Sequence, residues 1–319
     1  MIFDLSRMLL HPTSREALSR SLADAQQTGT RITSFDFSAF SRVLEYTPED
    51  LTVTVEAGLT LGALQRALRE RGQWLPVDPP HADSLAIGAL LANNASGPRR
   101  FGYGTIRDHL LGVQVALADG RLIRSGGKVV KNVAGFDLLK LFVGSQGSLG
   151  VITEATFKLL PLPEAEHTLQ QDCATLAEAG ALLERVLASE LTPVVMDLHR
   201  PCKADASRLT LNFSGAREDV EAQLSRAAQL GFTTTGSLDY DATFHAPGSL
   251  KPRRTSVLPS RLVQALESLA PESFVARAGN GVIHYRGGGD APRAELPQTL
   301  LRRIKSTFDP KGILPDMPL

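Results

Sequence analysis

Apolar positions along the chain follow two rhythms, and the changes between them mark out its elements. After Pro12, residues Leu18, Leu22 and Ala25 fall on one face at helical spacing, and Gly29 stops the run. Thr13 and Glu16 stand at capping-box spacing at its start. Residues 51–56 alternate as a strand does. Leu61, Leu64, Ala67 and Leu68 then predict a second helix ending at Gly72. Residues 113–118 and 121–125 read as strands joined by Asp119-Gly120, a hairpin signal. Residues 151–159 alternate again until Pro161 and Pro163 end the run.

Beyond these prolines the order becomes strand 167–172, helix 176–189, strands 194–199 and 208–213, helix 217–230 and a strand near 232–236. That βαββαβ order predicts an antiparallel sheet with helices on one face. Residues 241–255 read as a loop, 260–269 as a helix, 273–286 as a hairpin, and 296–308 as an amphipathic helix. The expected organisation is therefore a first domain over 1–163, an α+β domain over 164–290, and a segment 291–319 whose helix returns to the first domain.

Composition narrows the classes. With 319 residues there is room for about two domains. Hydrophobic residues at 43% and charged residues at 21% suit a buried core, and 34 basic against 34 acidic residues give no broad pull toward nucleic acid or anionic lipid. Cys173 and Cys202 lie far apart and cannot hold an iron–sulfur cluster. With no run of about 20 apolar residues and a polar-interrupted start, the expectation is a cytoplasmic protein without a membrane span. No HxH or HxxxH pair occurs, so no metal site is expected.

The chemistry concentrates between Pro79 and Thr153. Small residues along 86–92 let backbone approach a bulky flat ligand, and amides beside Gly88 or Ser96-Gly97 are candidates for phosphate oxygens. Residues 103–108 (Tyr-Gly-Thr-Ile-Arg-Asp) and the glycine loop 144–150 entering a strand extend the pattern. A crowded, turn-rich sheet without ligand is the alternative. The spacings of a Rossmann fingerprint and of a P-loop are both absent.

The segments 51–58, Pro79-Pro80, Ile87-Gly88, 96–100 (SGPRR), 104–108 (GTIRD), 131–137 (KNVAGFD), 147–153 and the ending 308–314 (FDPKGIL) together resemble the FAD-binding, PCMH-type domain of the vanillyl-alcohol oxidase family. Within that family they resemble most the E-type subunits of glycolate oxidase. The resemblance is dense over about 50–163 and thin beyond. It implies an α+β, two-subdomain PCMH-type fold followed by a ferredoxin-like α+β cap, with FAD extended between the subdomains and its pyrophosphate on backbone amides.

Carried over by position, Pro79 counts among the cofactor-binding residues, Ile87 and Gly88 fall near the pyrophosphate or ribityl chain, and Asn93, Ser96, Gly97, Tyr103 and Gly104 along the flavin. Gly147, Gly150, Val151 and Ile152 fall beside adenine and ribose. Arg107 is either a cofactor contact or half of an ion pair with Asp108 that fixes the loop. By the same resemblance the chain would serve 2-hydroxy acid oxidation beside a catalytic D-type flavoprotein and an iron–sulfur F-type subunit.

Two departures stand out. The family's early glycine-rich loop is missing, since residues 29–38 run straight toward Phe40, and the usual Asn-Pro-Gly near the end is replaced by Leu314-Pro315-Asp316. Each phosphate hydrogen bond lost removes roughly 1.5–3 kcal/mol, so a non-catalytic subunit that keeps the fold with weakened FAD binding is the alternative function. For catalysis, residues 278–286 resemble the GDGNLH stretch of D-type subunits and make His284 the candidate base, against a hairpin histidine with no such role. His199 and His245 are lone histidines. Arg253-Arg254 is either a carboxylate site or solvated surface.

Overall fold

The computed structural model describes residues 7–128, 138–202, 206–246, 252–292 and 296–317. The KNVAGFD segment lies outside the described residues.

Strand Arg7–Leu10 pairs in parallel with Arg31–Phe35, and the helix Arg15–Thr28 crosses between them. Leu18, Leu22 and Ala25 of that helix are buried, and Gly29 ends it in the left-handed conformation. The N-cap is Ser14, whose hydroxyl accepts the Ala17 N–H at 3.1 Å, one residue later than the Thr13 expected from the sequence.

A five-stranded sheet follows, in the order Val43–Thr47, Thr52–Glu56, Val151–Lys158, Leu110–Ala116, Leu122–Gly126. Its pairings are antiparallel. Alternation sorts its side chains: Val53, Val55, Val113, Val115, Ala155 and Phe157 enter a core shared with the helix Leu61–Arg69 and with Ile87, Leu90 and Leu91. Thr54 and Thr156 take the other face and share a 2.9 Å hydrogen bond. Glu56 on that face is held by Arg42.

The second sheet has seven strands. Four of them run in the order Thr234–Thr235, Ala165–Cys173, Ser207–Gly215, Val195–Arg200, which is the ferredoxin-like arrangement that βαββαβ order produces. Ser273–Arg277, Val282–Arg286 and Arg253–Ser256 extend it at one edge. Helices Leu176–Leu187, Arg217–Gln229 and Leu262–Leu269 cover one face, over Leu198, Leu209, Leu211, Phe213 and Phe274. The opposite face is polar yet closed: Asp197, Thr210 and Asn212 have no exposed surface. Residues 241–255, expected to be a loop, contribute to a helix Asp239–Phe244 and the edge strand Arg253–Ser256. Tertiary burial of Asp241 and Phe244 overrode a loop-like composition.

Helix Gln298–Phe308 lies on the first core, with Phe308 edge-on to Phe142 at 5.8 Å. Lys305 Nζ donates to the Ser148 and Pro315 carbonyls at 2.8 and 2.9 Å and to Asp309 at 2.6 Å. Among the described residues, no helix is long and apolar enough to cross a membrane.

Candidate cofactor site

A cavity of about 490 Å³ opens beside the first sheet. One wall is Ala57-Gly58 with Ala86, Gly88, Ala89 and Ala92 from the start and face of the helix Ile87–Ala92; another is Ser145–Gly147 with Gly150–Ile152; the third is Thr33–Ser38, with Pro315 at its edge. Chain crossings make these walls compact. A β-carbon on Gly58 would overlap the Phe37 carbonyl, so the end of the first sheet and the 33–40 segment meet only because residue 58 is glycine. The Gly58 N–H donates to Phe40 O at 2.7 Å and fixes that crossing.

The residues expected to hold cofactor divide into groups. Gly88, Gly147, Gly150, Val151 and Ile152 line this cavity together. Pro79 lines a second cavity of about 370 Å³ with Asp78, Trp74, Arg99 and Glu166. The Ile87 side chain is in the core. Asn93 is exposed and bonds its own helix at Ala89 O. A β-carbon on Gly97 would overlap Asp78, so that glycine serves a backbone crossing. The Tyr103 hydroxyl donates to Ser214 Oγ at 3.1 Å, toward the second sheet, and the Gly104 N–H donates to Arg100 O. Asp108 accepts from the Thr105 N–H and hydroxyl at 2.7 and 2.8 Å, so Thr105, rather than Arg107, fixes that loop. Arg107 reaches Lys140 O at 3.5 Å.

The Ile87 and Gly88 amides are already engaged within the protein. Ile87 N–H donates to Leu59 O at 2.9 Å and Gly88 N–H to Ala57 O at 2.7 Å. Those bonds pin the helix to the strand end and are lost as phosphate donors. The Ser96 hydroxyl and Asn94 Oδ1 are buried with no hydrogen-bond partner among the described residues. Buried polar atoms of this kind are rare unless a ligand or water completes them. Neither residue lines the cavity, whose row of small residues fits the flat rings of a flavin nucleotide.

The polar face of the second sheet packs toward the first domain: Gly102 N–H donates to Val194 O at 3.0 Å, and Arg99 pairs with Asp78 and Glu166. There Arg277 pairs with both Asp197 and Asp241. Tyr240 donates to Asp197 at 2.7 Å and stacks on His199 at 3.9 Å, and His199 Nε2 meets Thr210 Oγ1 at 3.0 Å. His284 lies 5.2 Å from the His245 ring. Burial, reinforced by the Arg277 charge, pushes its pKa down to about 3. His245 Nδ1 faces Asp241 O at 2.9 Å, and its carbonyl meets His81 Nε2 at 2.7 Å. Arg253 covers the Tyr285 ring at 4.7 Å and pairs with Asp290, whereas Arg254 is exposed. Cys173 and Cys202 are free thiols. Among the described residues no cluster of His, Cys, Asp and Glu could hold a metal.

Sequence reading missed Arg277, Asp197, Asp241 and Tyr240, and also the 33–38 wall. The signal for Asp197 was present: one charge between Met196 and Leu198 in a strand marks the face opposite the apolar core. Nothing local showed that this face would be closed.

Residues 17–126 match the family described as FAD binding domain. The chain is 38% identical over 161 residues to the glycolate oxidase subunit GlcD of Bacillus subtilis (strain 168), covering 50% of this chain and 34% of the relative. It is 41% identical over 131 residues to the glycolate oxidase subunit GlcE of Escherichia coli (strain K12), covering 41% and 37%. A D-lactate dehydrogenase of Archaeoglobus fulgidus is 42% identical over 154 residues, covering 48% of this chain and 34% of the relative. The matched part thus spans about a third of the length of these relatives. Among solved structures, an alkyldihydroxyacetonephosphate synthase superposes with a TM-score of 0.72 at 16% identity, covering 96% of this chain and 76% of that one, which shows the shared fold.

Proposed function

Because this chain carries a PCMH-type FAD-binding domain, we propose that it is the FAD-binding subunit of a 2-hydroxy acid dehydrogenase complex of the glycolate oxidase kind. The observation that carries the reading is the small-residue cavity, whose Ala57, Gly58, Ala86 and Gly88 lie inside the matched FAD binding domain. When bound, FAD supplies a two-electron acceptor. The chain's part is to enclose it: Gly58 and Gly88 bring backbone against it, and the 145–152 segment closes the opposite side.

Little in the second domain supports turnover of substrate by this chain alone. His284 is neutral at pH 7 and able to take a proton, but a conjugate acid with a pKa of about 3 gives weak driving force for abstracting one from a hydroxyl. Arg277, the buried cation of that face, is already matched by two carboxylates. A catalytic D-type flavoprotein would therefore oxidise glycolate or a similar 2-hydroxy acid, and an iron–sulfur F-type subunit would take the electrons, since two cysteines cannot hold a cluster here.

The same closed face favours a second reading: a non-catalytic subunit that keeps the fold and stabilises the complex. The absorbance spectrum of the protein purified with its partners separates the two. A flavin band near one FAD per chain, with co-purifying iron–sulfur protein, supports the first. A colourless chain that still co-purifies, even after incubation with excess FAD, supports the second.

A further inference from the structure

Two carboxylates share one guanidinium on the polar face of the second sheet, and they reach it by different routes. Asp197 and Arg277 are register partners on the paired strands Val195–Arg200 and Ser273–Arg277, so the sheet itself holds them together. Asp241 arrives from outside the sheet, on the short helix Asp239–Phe244, which shows Asp239, Ala242 and Thr243 to solvent. Arg277 gives Nη1 to Asp197 and Nη2 to Asp241. The fit is incomplete: Asp197 Oδ1 and Asp241 Oδ2 are buried with no hydrogen-bond partner among the described residues. Burial, with Asp241 adding to it and Arg277 opposing, pushes the Asp197 pKa up to about 6.

The helix keeps anchors besides Asp241. Tyr240 donates to Asp197, Phe244 is buried and accepts from Arg286 through its carbonyl, and His81 Nε2 meets His245 O. Release of Asp241 therefore loosens the helix without freeing it. A small free carboxylate that takes the place of Asp241 on Arg277 keeps the charge there balanced, so the exchange leaves no buried charge unpaired. A hydroxyl on its α-carbon can donate to the orphaned Asp197 oxygen, which stays on its strand.

We propose that Arg277 anchors a small-carboxylate site, that Asp241 fills this site as a built-in stand-in, and that a 2-hydroxy acid displaces Asp241 and loosens the helix. The choice of a 2-hydroxy acid rests on the proposed function; the exchange of one carboxylate for another does not require FAD.

Amide exchange and thermal unfolding of the full chain in sodium glycolate, against sodium chloride and glycolamide at matched ionic strength, test this. In the wild type, about 50 mM glycolate should speed exchange of the His245 amide, which donates to Asp241 O, about threefold or more, while the strand Ser273–Arg277 stays protected. Asp241→Asn keeps the shape and removes the competing charge, so glycolate should raise its melting temperature more than that of the wild type. Acetate, without the hydroxyl, should act less strongly than glycolate. Equal exchange of the His245 amide in glycolate and in chloride overturns the proposal, and so does an Asp241→Asn protein that glycolate stabilises no more than chloride or glycolamide does. Acetate acting as strongly as glycolate overturns the Asp197 contact. A chain that passes these tests and binds no FAD sinks the proposed function while this site stands.

Discussion

Arg277 and Asp197 form an ion pair whose side chains are 4% and 1% exposed, on the polar face of a sheet whose other face is the second core. Asp241 completes the charge balance from the helix Asp239–Phe244. Removing the cation leaves two carboxylates buried without compensation. Arg277→Met should destabilise the protein by about 3–5 kcal/mol, read from urea unfolding. A loss below about 1 kcal/mol would mean that water reaches the pair.

Acid should weaken the same region through His199. Burial, with Arg208 and Arg277 acting in the same direction, depresses its pKa from 6.5 to about 3. The fold therefore favours neutral imidazole, so the stabilisation is complete above pH 6.5 and is lost as pH falls from there toward 3. Asp172 and Asp241 oppose this shift. Asp197, pushed up to about 6 by burial, has the opposite sign: its contribution is largest below its ordinary value of 3.8 and is lost as pH rises through about 6. A difference measurement isolates the histidine. Relative to His199→Asn, the wild type should lose about 2 kcal/mol more between pH 6.5 and 4.5, measured by urea titration at each pH. Parallel pH curves for the two proteins would refute the assignment.

Gly88→Asp places a carboxylate in the cavity lining, and its β-carbon would come within 3.1 Å of the Ala57 side chain and 3.2 Å of its carbonyl. Flavin affinity should fall at least tenfold, about 1.4 kcal/mol, by fluorescence titration. A folded variant with undiminished FAD content would put the cofactor elsewhere.

Lys305 ties the C-terminal helix to two segments that border the cavity, through the carbonyls of Ser148 and Pro315. Lys305→Met also strips Asp309 of its cation, while Asp309 still accepts the Ile313 and Leu314 amides, both at 2.9 Å. The expected cost is about 1.5–3 kcal/mol, with a smaller rise in melting temperature when flavin is added. An unchanged melting temperature with and without flavin would show the lysine to be dispensable.

Much of the architecture was legible locally because period and punctuation agree. Leu18, Leu22 and Ala25 at helical spacing before Gly29, and alternation through residues 52–56 and 151–158, point to one element each, and the structure has those elements. The 241–255 stretch was not legible, because Asp241 and Phe244 are drawn into a helix by Arg277 and by burial from distant strands. The candidate site divides the same way. Gly88, Gly147, Gly150, Val151 and Ile152 share one cavity, while Gly97, Tyr103 and Gly104 answer to backbone crossing or to partners outside it.

By itself the sequence determined the main strands and helices, because spacing and punctuation act over a few residues, and the FAD-binding character of the first domain came from its resemblance to a known family. Only the tertiary structure decided that the amides of Ile87 and Gly88 are consumed, that Asp36 and two phenyl rings form a cavity wall, and that Arg277 is neutralised from two sides. Each of these depends on which distant carbonyl, ring or carboxylate arrives at a given group. That is fixed by packing between segments, and no local pattern encodes it.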